Sequence, residues 1–457
     1  MSYQSLNIKK YLLLAGDIIV LYISLYLTLL FRYGLNEMRP SWSQHFWPFT
    51  AVFVLWIIIF YVSQLYDLTL AVNNFKFYSR TSKALFFSFI LGTAFFYLLP
   101  QLGIAPKRNL LIAIIITAVL FFVWRQLFNI LLKSYLPKNN IAIIGLNEQV
   151  KELIKHFNDH PHLGFNIAFI FHEQDVYAEG IYNIPLVKNI EEIKGRLIRE
   201  RVSVVVLVAD IKEANALRSH LFNCLHLGID FVNLPRFYEK ISGKIPLESL
   251  SQTWFLENLH EGGKLWFDKL KRTCDIVIAS LTFIISLPFW LPIALIISLE
   301  SFGPVFYQQE RMGKNNKIVR LFKFRTMREE GNSRFPTVPN DPRITRFGKL
   351  LRKTRLDELP QILNIIKGEM SFVGPRPERP EIARELQQKI PFYNERTLVL
   401  PGVTGWDQVC GEYHSPSIED TLKKLQYDLY YIKNRSLFLD LLIMLKTVRI
   451  IISRVGQ

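Results

Sequence analysis

The sequence predicts an α-helical membrane protein in three parts: a four-helix transmembrane bundle, a doubly wound α/β soluble domain, and an α-rich C-terminal domain with a re-entrant membrane hairpin. Three observations predict it. The first third holds four long apolar segments, and the middle alternates β-branched runs with helical ones. The last part sets a charge-free stretch broken by two prolines ahead of a dense basic run. With 457 residues, 50% of them hydrophobic, and a mean hydropathy of +0.18, the chain is too long for one ordinary domain and too apolar to be wholly soluble.

Residues 1–138 form the membrane part. The apolar segments run over about 11–31, 46–65, 84–99 and 110–132, each near the length needed to cross a hydrocarbon core. Four in succession argue against buried core helices, and no small-residue cleavage site follows the first, as a signal peptide would require. Lys9 and Lys10, then Lys76, Arg80 and Lys83, then Arg125, Lys133 and Lys138 mark the cytoplasmic ends; Lys107 and Arg108 on the opposite side weaken that bias without reversing it. Asp17, the acid inside a span, reads as a packing or interfacial group.

Residues 139–260 read as strand 141–145, helix 148–157, strands 167–171 and 202–209, helix 211–227 and strand 229–234, a parallel Rossmann-like sheet. A dinucleotide loop needs glycines for its tight turn and for close approach to pyrophosphate. After Gly145, Asn147 and Val150 hold the next two glycine positions, so a structural or regulatory role is expected rather than cofactor binding.

Residues 261–457 open with an apolar stretch, 276–299, that has 24 residues and no charge. It is long enough to cross, but crossing would carry everything after Glu300 away from the cytoplasmic nucleotide pool. Pro288 removes a backbone donor and is expected to break the stretch into a re-entrant hairpin, 274–299, with both ends at the inner surface. The final segment, 436–452, carries Asp440, Lys446 and Arg449 among apolar residues and reads as an interfacial helix.

The chemistry is concentrated after the hairpin. Between Glu310 and Arg355 there are fourteen Lys or Arg against four Asp or Glu, most of the chain's net +16. A basic run alone suits a nucleic acid or an anionic membrane surface. This one leads directly into two adjacent carboxylates, Asp357 and Glu358, followed by Leu359, Ile362, Leu363 and Ile366 on one helical face, with Pro360 in the first turn and Gly368 as the stop. A helix start favours ionised carboxylates and attracts phosphate. A carboxylate beside a phosphate meets repulsion of about 4 kcal/mol per charge pair at about 4 Å with an effective dielectric near 20, which nearby cations must offset. The three cysteines, Cys224, Cys274 and Cys410, are isolated, which excludes a disulfide framework and a cysteine metal site.

From Phe267 onward the chain resembles the bacterial sugar transferase family, membrane-bound polyprenyl-phosphate sugar-1-phosphate transferases. The resemblance rests on KRTCD, GPVFYQQERMGKNNK, LFKFRTM, NDPRITRFGKLLRKTRLDELPQILNIIKGEMSFVGPRPE, PGVTGWDQV and KLQYDLYYIKNRSLFLDLLIMLKT. The membrane segments and the Rossmann-like domain resemble the large members. The resemblance implies transfer of a sugar 1-phosphate from a UDP-sugar to undecaprenyl phosphate with release of UMP, initiating surface polysaccharide or exopolysaccharide synthesis. It implies a multi-pass protein of the bacterial inner membrane with its catalytic domain on the cytoplasmic face, among inner-membrane lipids, with no nucleic-acid partner, and it is compatible with a homodimer. It maps the catalytic acids onto Asp357, which would form an aspartyl-phosphosugar, and Glu358, which would be the metal ligand for Mg²⁺. Lys323, Arg325, Arg352 and Arg376 match its phosphate- and nucleotide-binding cations, and Gly402, Gly405 and Gln408 its substrate loop. Asp407 departs from the small residue commoner there. Two other readings fit less. A membrane-anchored nucleotide-sugar dehydratase or epimerase needs an intact glycine loop and a Tyr-x-x-x-Lys pair, and no Tyr here has Lys four positions later. A non-enzymatic membrane scaffold leaves the acid pair unexplained.

Overall fold

The computed structural model describes residues 5–63, 65–66, 75–98, 107–135, 139–159, 165–173, 184–208, 215–247, 252–259, 264–328, 341–410 and 417–453. The chain divides into two compact units, Met1–Phe237 and Tyr238–Gln457.

The first unit begins with four long helices, α1 (Ser5–Tyr33), α2 (Met38–Val62), α3 (Phe75–Leu98) and α4 (Lys107–Tyr135). They pack α1 on α2, α2 on α3, α3 on α4 and α4 back on α1. Leu25, Phe49, Trp56, Phe60 and Phe121 fill the centre, while Ile19, Phe86, Leu111 and Ile115 point outward and stay exposed. Helices apolar all round need lipid to cover the outer face, and all four are long and apolar enough to cross a membrane. This is a membrane protein. Of the cations used above for orientation, Lys138 lies outside the described residues, as do the side chains of Lys9, Lys10, Lys76, Lys107, Arg108 and Lys133. Arg125 departs from the flanking role expected of it. It is buried, its Nη2 donates to Asp17 Oδ2 at 2.7 Å, and its Nη1 donates to the Leu65 carbonyl at 2.8 Å. Asp17 is therefore the counter-charge that joins α1 to α4, the packing role expected of it.

The α/β part of this unit is a five-stranded parallel sheet in the order β3-β2-β1-β4-β5. Its strands are β1 (Asn139–Ile144), β2 (Phe165–Phe171), β3 (Leu186–Val187), β4 (Val204–Leu207) and β5 (Asp230–Asn233), joined by α5 (Glu148–Asp159), α6 (Ile190–Arg199) and α7 (Asn215–Phe222). The sequence reading omitted β3 and α6, and its helix start at 211 lies outside the described residues. At the loop after Gly145, the Asn147 side chain accepts from the Val150 amide at 3.0 Å, so the start of α5 is capped by its own chain where a pyrophosphate would seek a free N–H.

The second unit takes in α8 (Leu234–Ser242) from residue 238, then α9 (Gln252–Asn258) and the 36-residue α10 (Leu265–Glu300). Pro288 and Pro292 lie inside α10, which continues through both; no break into two hairpin arms appears at Pro288. A lost N–H removes one rung of the ladder, and Ser286 and Trp290 bond locally, Ser286 Oγ to the Phe283 carbonyl and Trp290 Nε1 to Ser286 Oγ, each at 3.1 Å. One stripe, Asp275, Ala279, Ser286, Ile293 and Ile297, is buried, while Ile285, Leu291 and Leu299 on the other sides are exposed.

The rest of the second unit, a body with both polar and apolar contacts to it, holds α10 along its length. It includes the antiparallel hairpin β6 (Phe306–Met312) and β7 (Ile318–Phe324), α11 (Arg346–Thr354), a 3-10 segment at Leu356–Gln361, and α12 (Ile362–Lys367). The strand β8 (Ser371–Val373) follows, with α13 (Pro380–Lys389), a second 3-10 segment at Tyr393–Leu398, β9 (Gly402–Thr404) parallel to β8, α14 (Trp406–Cys410), α15 (Ile418–Asn434) and α16 (Leu437–Ser453). Near one end of α10, Asp275 Oδ1 accepts from the Phe372 amide at 3.3 Å; at the other, both oxygens of Glu300 accept from the Phe347 amide at 3.0 and 3.1 Å. Between them Trp290 sets its edge against Phe324, with centroids 5.5 Å apart. In α16, Asp440 turns inward to Lys271 at 2.6 Å and Tyr431 at 2.8 Å, leaving Phe438, Leu441 and Ile451 outside.

Two predictions follow from these packings. Asp17→Ala strands a buried guanidinium and is expected to cost about 3–5 kcal/mol, whereas Asp17→Ala with Arg125→Leu recovers most of it; thermal unfolding of the detergent-solubilised protein reads both. A Cβ on Gly348 would lie 2.2 Å from the Thr326 carbonyl oxygen, so Gly348→Ala must push α11 off the main chain at Thr326 at a cost of about 1–3 kcal/mol, read in the same melt.

Candidate active site

The acid pair does not open a regular α-helix as the periodicity predicts. Asp357 and Glu358 stand in the 3-10 segment that follows α11, and the α-helical ladder begins only at Ile362. Arg355, with φ 58°, turns the chain between α11 and this segment. The tighter winding shifts the buried face to Pro360, Gln361, Ile362, Asn364 and Ile365 and leaves Ile366 exposed. Asn364 ties the segment to β7: its Oδ1 accepts from the Phe322 amide at 3.1 Å and its Nδ2 donates to the Arg320 carbonyl at 2.7 Å. Gly368 ends α12 in the left-handed conformation expected of it.

That tie brings β7 across the acids. Lys323 Nζ donates to Glu358 Oε1 at 2.8 Å, and Arg376 Nη2, from the loop after β8, donates to the same oxygen at 3.2 Å. Burial raises the Glu358 carboxyl, but Arg376 and Lys323 outweigh it and hold it down at about 2. Its neighbour is placed differently. Asp357 is buried, its Oδ1 has no hydrogen-bond partner among the described residues, and burial together with the adjacent Glu358 charge pushes it above its ordinary value against Lys323, Arg352 and Arg355. Two neighbouring acids thus carry different burdens, one neutralised by direct bonds and one buried with an unbonded oxygen.

The remaining expected residues separate. Arg352 is aimed from α11 by a bond from its Nε to Thr326 Oγ1 at 2.8 Å. Arg325 is buried and turned the other way, its Nη2 donating to the Ser301 carbonyl at the end of α10 at 2.6 Å, so it anchors the helix and does not contact the acids. Gly402 lines one cavity with Lys323, Glu358 and Arg376. A Cβ there would lie 2.1 Å from the Gly374 nitrogen, which is why the strands can close. Gln408 is spent on its own turn, its Oε1 accepting from the Gly405 amide at 3.0 Å. The cavity measures about 20 Å³, room for little more than one water.

Arg311, Gln361 and Met370 also line it, and the sequence reading missed them. Arg311 was findable. Pairing β6 with β7 sets Arg311 opposite Val319 and Tyr307 opposite Lys323, so the two-residue strand period puts Arg311 and Lys323 on one face. The two carboxylates, one with an orphaned oxygen, are hard donors of the kind that hold Mg²⁺ together with phosphate oxygens, so the residues fit that ion. Among the described residues no cluster of three or more His, Cys, Asp or Glu forms an all-protein cage.

The fold and the acid pair together define a membrane protein whose soluble face carries two carboxylates ringed by cations. Comparison with known proteins is more specific. The family model described as bacterial sugar transferase matches residues 266–454, and one described as a CoA-binding domain matches 55–235. The chain is 38% identical over 256 residues to the UDP-N-acetylgalactosamine-undecaprenyl-phosphate N-acetylgalactosaminephosphotransferase of Aeromonas hydrophila, covering 55% of this chain and 59% of that protein. It is 31% identical over 338 residues to the UDP-glucose:undecaprenyl-phosphate glucose-1-phosphate transferase of Escherichia coli K12, covering 68% and 67%. With the exopolysaccharide production protein PSS of Rhizobium leguminosarum it shares 40% identity over 187 residues, 39% of this chain and 93% of that protein. The chain belongs to the bacterial sugar transferase family. It spans 59% of the length of the first of these relatives.

The bonds to Glu358 predict a pH dependence. Because its carboxyl is held at about 2 in the fold against an ordinary 4.5, the stability it contributes is full above pH 4.5 and is lost as pH falls toward 2. Glu358→Gln is therefore expected to lower the melting temperature by a constant amount from pH 8 to pH 5, worth about 1.5–3 kcal/mol, and by a shrinking amount below pH 4.5.

Proposed function

We propose that this chain transfers a sugar 1-phosphate from a UDP-sugar to undecaprenyl phosphate in two steps through Asp357, the first membrane step of a surface polysaccharide. The observation that carries the reading is the asymmetry of the acid pair, with Glu358 bonded to Lys323 and Arg376 beside a buried Asp357 whose Oδ1 is unbonded. The names of the relatives support the donor and acceptor classes.

In the first step an Asp357 oxygen attacks the sugar-bearing phosphorus of the donor. The bond from that phosphorus to the bridging oxygen breaks, and UMP leaves with the electron pair. In the second step an oxygen of the acceptor phosphate attacks the same phosphorus, the Asp357 ester bond breaks, and the carboxylate returns. An ionised carboxylate needs no base, and two displacements replace one direct encounter between two anions. Lys323, Arg352 and Arg376 offset repulsion of about 4 kcal/mol for each charge pair at about 4 Å. Glu358 would hold Mg²⁺, which would supply further neutralisation of the phosphate oxygens.

The path of α10 supports placing this chemistry at a lipid surface, with both ends of the helix on one side of it. A helix that crossed the bilayer alone would meet lipid along its middle. α10 instead has its middle and both ends against the same body, with apolar side chains on the rest of its circumference, which favours re-entry over crossing.

Asp357→Asn replaces the nucleophile by an amide of equal size and is expected to lower UMP release from a panel of UDP-sugars with undecaprenyl phosphate by at least 10³-fold, with the melting temperature kept. The wild type stopped in mid-turnover is expected to gain the mass of one sugar phosphate on the peptide holding Asp357. Retained turnover in Asp357→Asn removes the residue from the attack.

A further inference from the structure

The loop that carries Arg376 is held by a row of bonds that the acid-pair chemistry does not use. Four successive carbonyls, from Pro375 to Glu378, each accept from a different place. Pro375 takes the Gly402 amide at 3.0 Å, Arg376 takes Arg396 Nη2 at 2.9 Å, Pro377 takes Arg311 Nη1 at 3.4 Å, and Glu378 takes the Met312 amide at 2.8 Å. Two of these restraints are backbone amides of β9 and β6, fixed by the sheet pairings. The one at Arg376 itself comes from a side chain.

That side chain is unusually costly to keep where it is. Arg396 stands in the 3-10 segment Tyr393–Leu398, with its side chain 10% exposed. Its Nη2 faces Asp428 Oδ2 on α15 at 2.8 Å, and its Nη1 donates to the Tyr393 hydroxyl at 2.6 Å. Asp428 is 3% exposed at the side chain. Buried ion pairs of this kind seldom add net stability over apolar residues of similar size. Here the guanidinium fork does something an apolar pair cannot, because it reaches the main chain at the root of Arg376. The Arg376 side chain is itself 42% exposed and reaches Glu358 Oε1 at 3.2 Å from the solvent side. A long, half-exposed side chain keeps its aim only if its backbone is fixed.

We infer that Arg396, with Asp428 as its counter-charge, is a positioning residue that fixes the backbone of Arg376 and so holds that guanidinium over Glu358. The inference rests on the transferase reading for its effect on turnover. Its structural content, a loop pinned by Arg396, stands apart from that reading.

The test uses the full-length protein in lipid nanodiscs. Arg396→Lys keeps the charge opposite Asp428 but loses the fork, and the pair Arg396→Met with Asp428→Leu removes both charges so that neither is stranded. Each is made alone and with Arg376→Ala, and kcat/KM for UMP release is measured with the UDP-sugar that the wild type uses fastest. Alone, both are expected to lower kcat/KM by ten- to a hundredfold through kcat, with melting temperatures near the wild type. On the Arg376→Ala background they are expected to lower it less than threefold, since nothing remains to aim. Equal losses on both backgrounds, or no loss at all, overturn the inference, as does a fall in melting temperature with kcat/KM intact in the folded fraction. Hydrogen exchange over residues 374–379 reads the loop without turnover. Faster exchange there in both variants, with β6 and β7 unchanged, supports the inference, and unchanged exchange overturns it even if the wild type releases no UMP.

Discussion

Two carboxylates adjacent in sequence and buried side by side repel each other when both are ionised, and the second unit is organised around relieving that conflict. Glu358 is relieved by direct bonds to Lys323 and Arg376, which arrive from elements far apart in the chain. Asp357 is relieved only at a distance, by Lys323, Arg352 and Arg355, so its buried Oδ1 stays unbonded and burial pushes its carboxyl upward. The distribution of cations therefore sets the division of labour between two otherwise similar side chains.

The rest of the unit serves to bring those cations in. β7 is laid across the acids by Asn364, a buried amide whose oxygen and nitrogen bond to two different residues of the strand. α11 lies close enough to Thr326 that only glycine fits at position 348, and this closeness lets Arg352 reach the Thr326 hydroxyl. β8 and β9 close on each other through Gly374 and Gly402 and carry Arg376 in from the third side.

Much of this was legible in the sequence. The four apolar segments, the parallel sheet and the C-terminal stop at Gly368 follow from local patterns of hydropathy and turn chemistry, while Lys323, Arg352 and Arg376 come from the family resemblance. What was not legible depends on contacts between distant segments. Arg125 reads as a flanking cation until Asp17, in another helix, is found beside it. The bond from Arg325 Nη2 to the Ser301 carbonyl has no local signature either. The helical period assigned to residues 359–366 failed because the buried Asn364 and the 3-10 winding before it shift the face by part of a turn. Arg396 and Asp428 lie 32 positions apart and carry no local signature at all.

The grip on α10 near both of its ends has a mechanical consequence. A domain tethered at one point can bob and swivel above a bilayer, and its reactive groups then meet lipid at many elevations. Under the proposed re-entry, the hydrogen bonds at Asp275 and Glu300 would fasten α10 as a single keel to the body above it, so the elevation of the acid pair would follow how deeply that keel settles in the leaflet. Leaflet thickness and composition would then act on the distance that the proposed lipid-borne acceptor must climb.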